Sequence, residues 1–287
     1  MLVGESCGAL VRFVKPSLRE SLLVSILQQL MEDRTPMVRE SVARNLAIVI
    51  SHLKNEDKYA KVEELLLRLL YDPCIEVVST VQNILLPVFI EWSDRFGYLT
   101  TRLVPLFLDE VRKLVMMVDP SGISEHNAER LQLLLGCTFV IIPRAFERVV
   151  TEGPFDVGAP TGKDTQTGGS SCFGLRDESS TLLSQKQCEQ LLAKFNFFLS
   201  TARTSKQDSW KELAWATDSL VPRLIDLVGN AVSISVPLVA RGLIGLMKEV
   251  CLSFGSTFTL LVLKKQVSAE LESEKDKSAA GTQCSPP

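Results

Sequence analysis

Histidine is nearly absent from this chain, with only His52 and His126 among 287 residues. Two imidazoles without carboxylates at ligand spacing make no metal site, and neither stands in an arrangement with a Ser or Cys nucleophile. His52 falls near a helix end, where partial positive charge is favourable without a function, and His126 falls in a turn or first helical turn. Paired cysteines are missing too. The seven cysteines, at 7, 74, 137, 172, 188, 251 and 284, include no C-x-x-C spacing, which excludes a zinc ribbon and a thioredoxin-like redox motif. An odd, unpatterned set reads as reduced thiols used as small apolar side chains and points to a cytosolic compartment. Neither sign of charge dominates: the net charge is -3 and the pI about 5.6. No broad basic field exists to attract nucleic acid or anionic lipid, and only a local patch stays open. The longest nearly apolar run, 250–263, is too short to span a bilayer and contains Ser and Thr, so no integral membrane segment is expected. Residues 1–5 lack the basic start and apolar stretch of a signal peptide.

What is present is a repeat. Hydrophobic residues make up 46% and charged residues 23%, the composition of a folded chain with a sizeable core. The segments 3–8, 38–43 and 77–82 share a pattern: V-x-E-S-x-small recurs between the first two at a period of 35, and the second and third align at a period of 39. At that second spacing Asp33 aligns with Asp72, Val38 with Val77, Val42 with Val81, Leu46 with Leu85 and Ile50 with Phe89. The preceding helix agrees in the same register, with Leu23, Ile26, Leu27 and Leu30 against Val62, Leu65, Leu66 and Leu69. Each unit reads as helix, turn, helix: apolar residues at 22, 23, 26, 27, 30 and 31 carry helical periodicity, and 32–36 is the turn. Thr35 is placed to cap the next helix, with Pro36 at its first position. The following unit is a helix over 58–70, a turn at 71–73 and a helix to about 96, and a third pair is expected at 99–118 and 124–150.

The predicted fold is all-α, a HEAT- or armadillo-like α-solenoid of antiparallel helix pairs. Residues 1–152 are assigned to HEAT-type repeats. Residues 153–182, rich in Gly, Ser, Thr, Asp and Pro, form an expected flexible loop. Residues 183–273 are expected to be further helical repeats, with helices at 184–201, 209–229 and 236–272, and 274–287 a disordered tail. The last of these helices is apolar on most sides over 238–263, so it should be buried or await a partner. The chain opens inside the second helix of a repeat and ends without a polar capping repeat, as a piece of a longer protein would.

Candidate chemistry is thin. Residues 158–165, G-A-P-T-G-K-D-T, approximate a phosphate-binding loop one residue short, with Asp164 where magnesium needs a hydroxyl and with no preceding strand; a loop is the plainer reading. Glu63-Glu64, Asp109-Glu110 and the run 270–277 read as solvated helix faces. Trp92, Trp210 and Trp215 read as core, with a contact anchor as the alternative. Arg39, in the pattern D-x-x-x-x-V-R, is expected to pair with Asp72 of the next repeat. No catalytic, cofactor-binding or metal-ligating residue is assigned, and no cofactor is expected. The function class is a non-enzymatic protein-binding scaffold.

Several stretches narrow this: E-S-C-G-A-L at 5–10, L-M-E-D with V-R-E-S-V across 30–42, D-K-Y at 57–59, L-L-P at 85–87, S-W-K-E-L-A-W at 209–215 and V-P-R-L-I-D-L-V-G at 221–229. Over about residues 1–258, leaving out the 153–182 loop and the tail, the chain resembles the RELCH family of Rab-binding proteins with a LisH domain, a coiled coil and HEAT repeats. The resemblance implies a tether linking recycling endosomes, through a Rab GTPase, to the trans-Golgi network, through oxysterol-binding protein, and assisting cholesterol transfer. It implies cytoplasmic localisation at those two compartments, with membrane association through partners. The LisH domain and coiled coil are not represented, so a fragment or short isoform is expected. The alternative is a generic HEAT adaptor of phosphatase-regulatory or transport type.

Overall fold

The computed structural model describes residues 9–118, 122–154, 185–201, 210–229 and 236–281. The fold is all-α, with no strand among the described residues. The first copy of the repeat motif, at 3–8, and the segment 158–165 lie outside the described residues, as does nearly all of 153–182. The chain divides into two compact units, 1–103 and 104–287.

The first unit is made of helix pairs. Helix α1 combines Pro16–Leu18, a π-helical turn Arg19–Leu23 and Val24–Leu30, and α2 is Pro36–Ser51. Helix α3, Tyr59–Leu70, follows a short 3-10 turn, and α4 spans Ile75–Arg95 with a π turn at Val81–Leu85. A further π turn, Leu99–Leu103, ends the unit. Each helix packs on the one that follows its turn, and α2 also packs along α4. The aligned positions meet in the core: Val42, Leu46 and Ile50 are buried, as are Val81, Leu85 and Phe89. Helix α4 stops at Gly97, whose φ of 69° closes the helix in a left-handed conformation that costs glycine nothing.

Polar links tie each pair to the next. Arg39 grips Asp72 with two hydrogen bonds, Nε to Oδ2 at 2.6 Å and Nη2 to Oδ1 at 2.9 Å, while its Nη1 donates to the carbonyls of Asp33 and Arg34. The predicted pairing is therefore present. Arg68 pairs with Glu32, Thr80 donates to Glu40, and the Trp92 indole donates to the Leu53 carbonyl at 3.1 Å. Partners in these bonds lie 33 to 40 residues apart, about one repeat. The cap at Thr35 differs from expectation. Thr35 holds the cap position with extended backbone, but its hydroxyl makes no capping bond. Its own carbonyl already takes the Val38 N–H at 3.0 Å, and the Asp33 carboxylate accepts the Thr35 N–H at 2.7 Å.

The second unit contains α5 (Val104–Met116), α6 (Glu125–Thr151) and α7 (Gln185–Thr201). Helix α8 runs through Lys211–Trp215, a π turn Ala216–Leu220 and Val221–Gly229. Helix α9 is Pro237–Phe258 followed by a π turn Thr259–Leu263, and α10 is Lys264–Gly281. Helix α10 thus continues past 273, where the tail was expected to begin; its Lys, Glu and Ala residues are good helix formers. The long α6 is central: α5, α7 and α9 all pack on it. Phe146 meets Phe254 at 5.0 Å and Phe195 at 5.6 Å, and the Trp210 indole donates to the Val149 carbonyl at 3.1 Å. Trp92 and Trp210 are core residues, whereas Trp215 is half-buried. Gly255, at φ 84° and ψ 173°, breaks α9. Ile75–Arg95 and Pro237–Glu272 are each long and apolar enough to cross a membrane. The first buries Val77, Val81, Leu85 and Phe89 in the core of its unit, and the second buries one face against α6 and α7.

Candidate protein-docking groove

Three proline-containing helices share one local device. Leu85-Leu86-Pro87, Leu103-Val104-Pro105 and Leu220-Val221-Pro222 each follow directly on a π turn: Val81–Leu85, Leu99–Leu103 and Ala216–Leu220. Proline has no N–H, and its ring collides with the carbonyl one turn back; widening that turn by one residue relieves the collision. The cost is a carbonyl without a donor. At α8 the Val221 N–H bonds Ala216 O, five residues back, and the next residue, Pro222, offers nothing to Thr217 O. Gln266 of α10 fills the gap, its Nε2 donating to Thr217 O at 2.9 Å. An orphaned carbonyl on one helix thereby fixes the side chain of another.

That contact sits in a groove of about 870 Å³ between the end of α5, α8, α9 and α10. Helix α8 makes one wall because its apolar period splits. Val221, Leu224 and Leu227 turn inward, while Pro222, Ile225 and Val228 face the groove. Met116, Met247, Val267 and Leu271 supply most of the remaining apolar surface. Methionine suits such a site, since its unbranched thioether adapts to the shape of a partner. Asp226 and Glu270 supply acidic groups. Asp226 is paired with Arg112 at 3.1 Å, and Arg223 on the same helix with Asp109 at 2.9 Å; both pairs join α8 to α5 and are about half exposed. The Gln266 Oε1 is buried and accepts no hydrogen bond within the protein. The groove therefore offers apolar area with acidic groups beside it, a surface suited to a helix or loop of another protein.

The first unit concentrates its polar chemistry elsewhere. The Tyr59 hydroxyl shares a hydrogen bond with Ser93 Oγ at 2.9 Å, and burial pushes its phenol far above the usual range. Arg102 lies over the Tyr59 ring at 4.7 Å and the Tyr98 ring at 5.4 Å and reaches Glu63 at 3.3 Å. Burial raises the Glu63 carboxyl above its ordinary value, against the smaller opposing pull of Arg102, and Glu63 Oε2 is buried without a hydrogen bond. Tyr98 donates to Glu56 at 3.0 Å. These bonds pin the start of α3 to the turn at 96–102. Glu63 is accordingly no solvated face residue, because burial against Arg102 and Tyr59 takes it out of water.

The singled-out histidines are placed plainly. His52 caps α2, with its Nδ1 3.0 Å from the Ile48 carbonyl, and His126 lies in the first turn of α6. Among the described residues no group of three or more His, Cys, Asp or Glu side chains is placed to hold a metal ion. Sequence reading missed Met247 and Gln266. The signal for Gln266 was indirect: a proline one turn into a helix predicts an unpaired carbonyl, but not which side chain will reach it.

The family model for the RAB11-binding protein RELCH N-terminal domain matches residues 1–154. The chain is 32% identical over 98% of its length to RAB11-binding protein RELCH of Mus musculus and 31% identical over 98% to that of Homo sapiens. It is 31% identical, again over 98%, to the RELCH homolog of Xenopus tropicalis. The match covers 23% of the mouse and human proteins and 24% of the frog protein, so the chain spans about a quarter of the length of these curated relatives. No solved structure matches it.

Proposed function

The chain belongs to the RELCH family, and on that premise we propose that it is a non-enzymatic scaffold of HEAT-type helix pairs that binds a Rab GTPase of the Rab11 kind. The observation that carries the reading is the groove of the second unit, where Met116, Met247 and Leu271 stand with the carboxylates of Asp226 and Glu270. Its mechanism is differential contact. A GTPase loop that changes shape with the bound nucleotide fits an apolar groove in one state and not in the other. The ladder of Arg39 with Asp72 supports the repeat architecture, because it joins successive helix pairs as nearest neighbours. In the fuller proposal the bound Rab places the scaffold on recycling endosomes. A link through oxysterol-binding protein to the trans-Golgi network then assists cholesterol transfer.

The test is retention of purified Rab11, loaded with GTP or GDP, on the immobilised full chain. Retention of the GTP form is expected, and Met247→Asp with Leu271→Asp should abolish it while the melting temperature stays close to wild type. Loss of neither form on the double variant would remove the groove from the mechanism. Failure of the wild type to retain either form would remove the Rab.

A further inference from the structure

The exposed positions of α9 and of the turn and helix that follow it carry a charge pattern that the whole chain does not. Before the Gly255 break, Arg241, Ile244, Lys248 and Leu252 are exposed in a single line, spaced three or four residues apart as one helix face requires. After it, Leu260, Leu261, Lys264 and Lys265 are exposed in turn. The aliphatics are well out in solvent: Ile244 is 64% exposed and Leu260 60%. Every exposed charge from 237 to 265 is basic; the one carboxylate in that span, Glu249, is half-buried and engaged within the protein. No ion pair holds these four cations among the described residues. At 1.5 Å per residue the line from 241 to 252 before the break is about 16 Å long. On α6, Phe139 and Val140 are also exposed, and a Cβ placed on Gly245 would lie 3.4 Å from Phe139 Cζ, so the apolar surface continues across to that helix.

We propose that this face binds the surface of an anionic phospholipid bilayer directly, with α9 lying in the plane of the interface. Lysine and arginine interleaved with exposed leucine and isoleucine suit a lipid interface, which offers phosphates to the bases and the edge of the acyl region to the aliphatics at the same depth. A membrane-spanning reading of the same helix fits less well. Its opposite face packs on α6 with Leu135 against Gly242, and Gly255 breaks it. The groove is lined by other residues, so lipid binding stands independently of the Rab reading and gives this chain a membrane contact of its own.

Sedimentation of the full chain with vesicles tests it. Binding is expected to phosphatidylcholine vesicles containing phosphatidylserine and not to phosphatidylcholine alone, and it should weaken as salt is raised. Neutralising each of Lys248, Lys264 and Lys265 to Gln should weaken binding about fivefold, and Leu260→Ser with Leu261→Ser should weaken it at every salt concentration. These positions are exposed, and circular dichroism melts should confirm that the variants fold. Equal sedimentation with both vesicle types, or with neither, overturns the proposal. Binding that ignores the leucine changes and is displaced by polyglutamate also overturns it, in favour of an acidic protein segment. Retention of Rab11 by the lysine variants distinguishes failure here from failure of the groove.

Discussion

The two units use the same kinds of helices differently. In the first, large side chains engage one another: Tyr59 stacks on Trp92, Phe89 and Phe96 meet them tilted or edge-on, Arg39 closes on Asp72, and Arg102 closes on Glu63 and two tyrosine rings. Its exposed large apolar residues are Leu10, Phe13, Leu18 and Leu22 near the start, with Met37, Ile48 and Ile75 further along. The second unit buries an equally solid aromatic core around Phe146, Phe195 and Phe254, yet it leaves a groove and an exposed basic face. The first unit uses charged groups as links between neighbouring helices, although Glu63 Oε2 stays buried without a hydrogen bond. The second leaves apolar and basic side chains exposed on its surface.

The largest expected effect tests the regular half. Leu46→Ala and Leu85→Ala, at equivalent buried positions, should each cost about 2–5 kcal/mol, from lost burial plus a cavity. Lys61→Ala should cost about 0.5 kcal/mol or less. Urea melts compare them, and equal costs would dissolve the repeat register. Arg39→Ala comes next, at about 1–3 kcal/mol, because it strands the Asp72 carboxylate, whose side chain is only 6% exposed. Arg39→Lys should recover only part of this, since a point charge cannot reproduce the two-bond geometry.

A smaller effect sharpens the contrast from the other side. Gln266→Ala removes the donor to Thr217 O and should cost about 1 kcal/mol. Pro222→Ala in the same background should restore much of that loss, because the regained N–H can serve the orphaned carbonyl; a purely additive double variant would contradict the π-turn account. The smallest effect is a pH dependence. Glu63 has a folded-state pKa raised above 4.5 by burial. Its contribution to stability is therefore full below the ordinary value and is lost as pH rises through the raised one. Glu63→Gln should accordingly gain on wild type as pH climbs through that window, read as melting temperature against pH. Parallel curves would show that the carboxyl is not desolvated.

By itself the sequence determined the helices, the helical class and, in the first unit, the register. These are encoded locally: a helix face recurs every three or four residues, and the 39-residue spacing repeats two faces at once. Arg39 with Asp72 was legible for the same reason, since one aligned position predicts its neighbour. The Thr35 cap was not, because the Val38 N–H that its hydroxyl needed is taken by its own carbonyl. Only the tertiary structure decided the second unit's surface. Met116, Ile225, Met247 and Leu271 come from four separate helices and share no spacing, so nothing local marks them as one groove. Gln266 has meaning only through a carbonyl 49 residues away. The basic face was likewise hidden in a net charge of -3, because composition sums charges, whereas folding sorts Glu249 inward and leaves Arg241, Lys248, Lys264 and Lys265 in solvent.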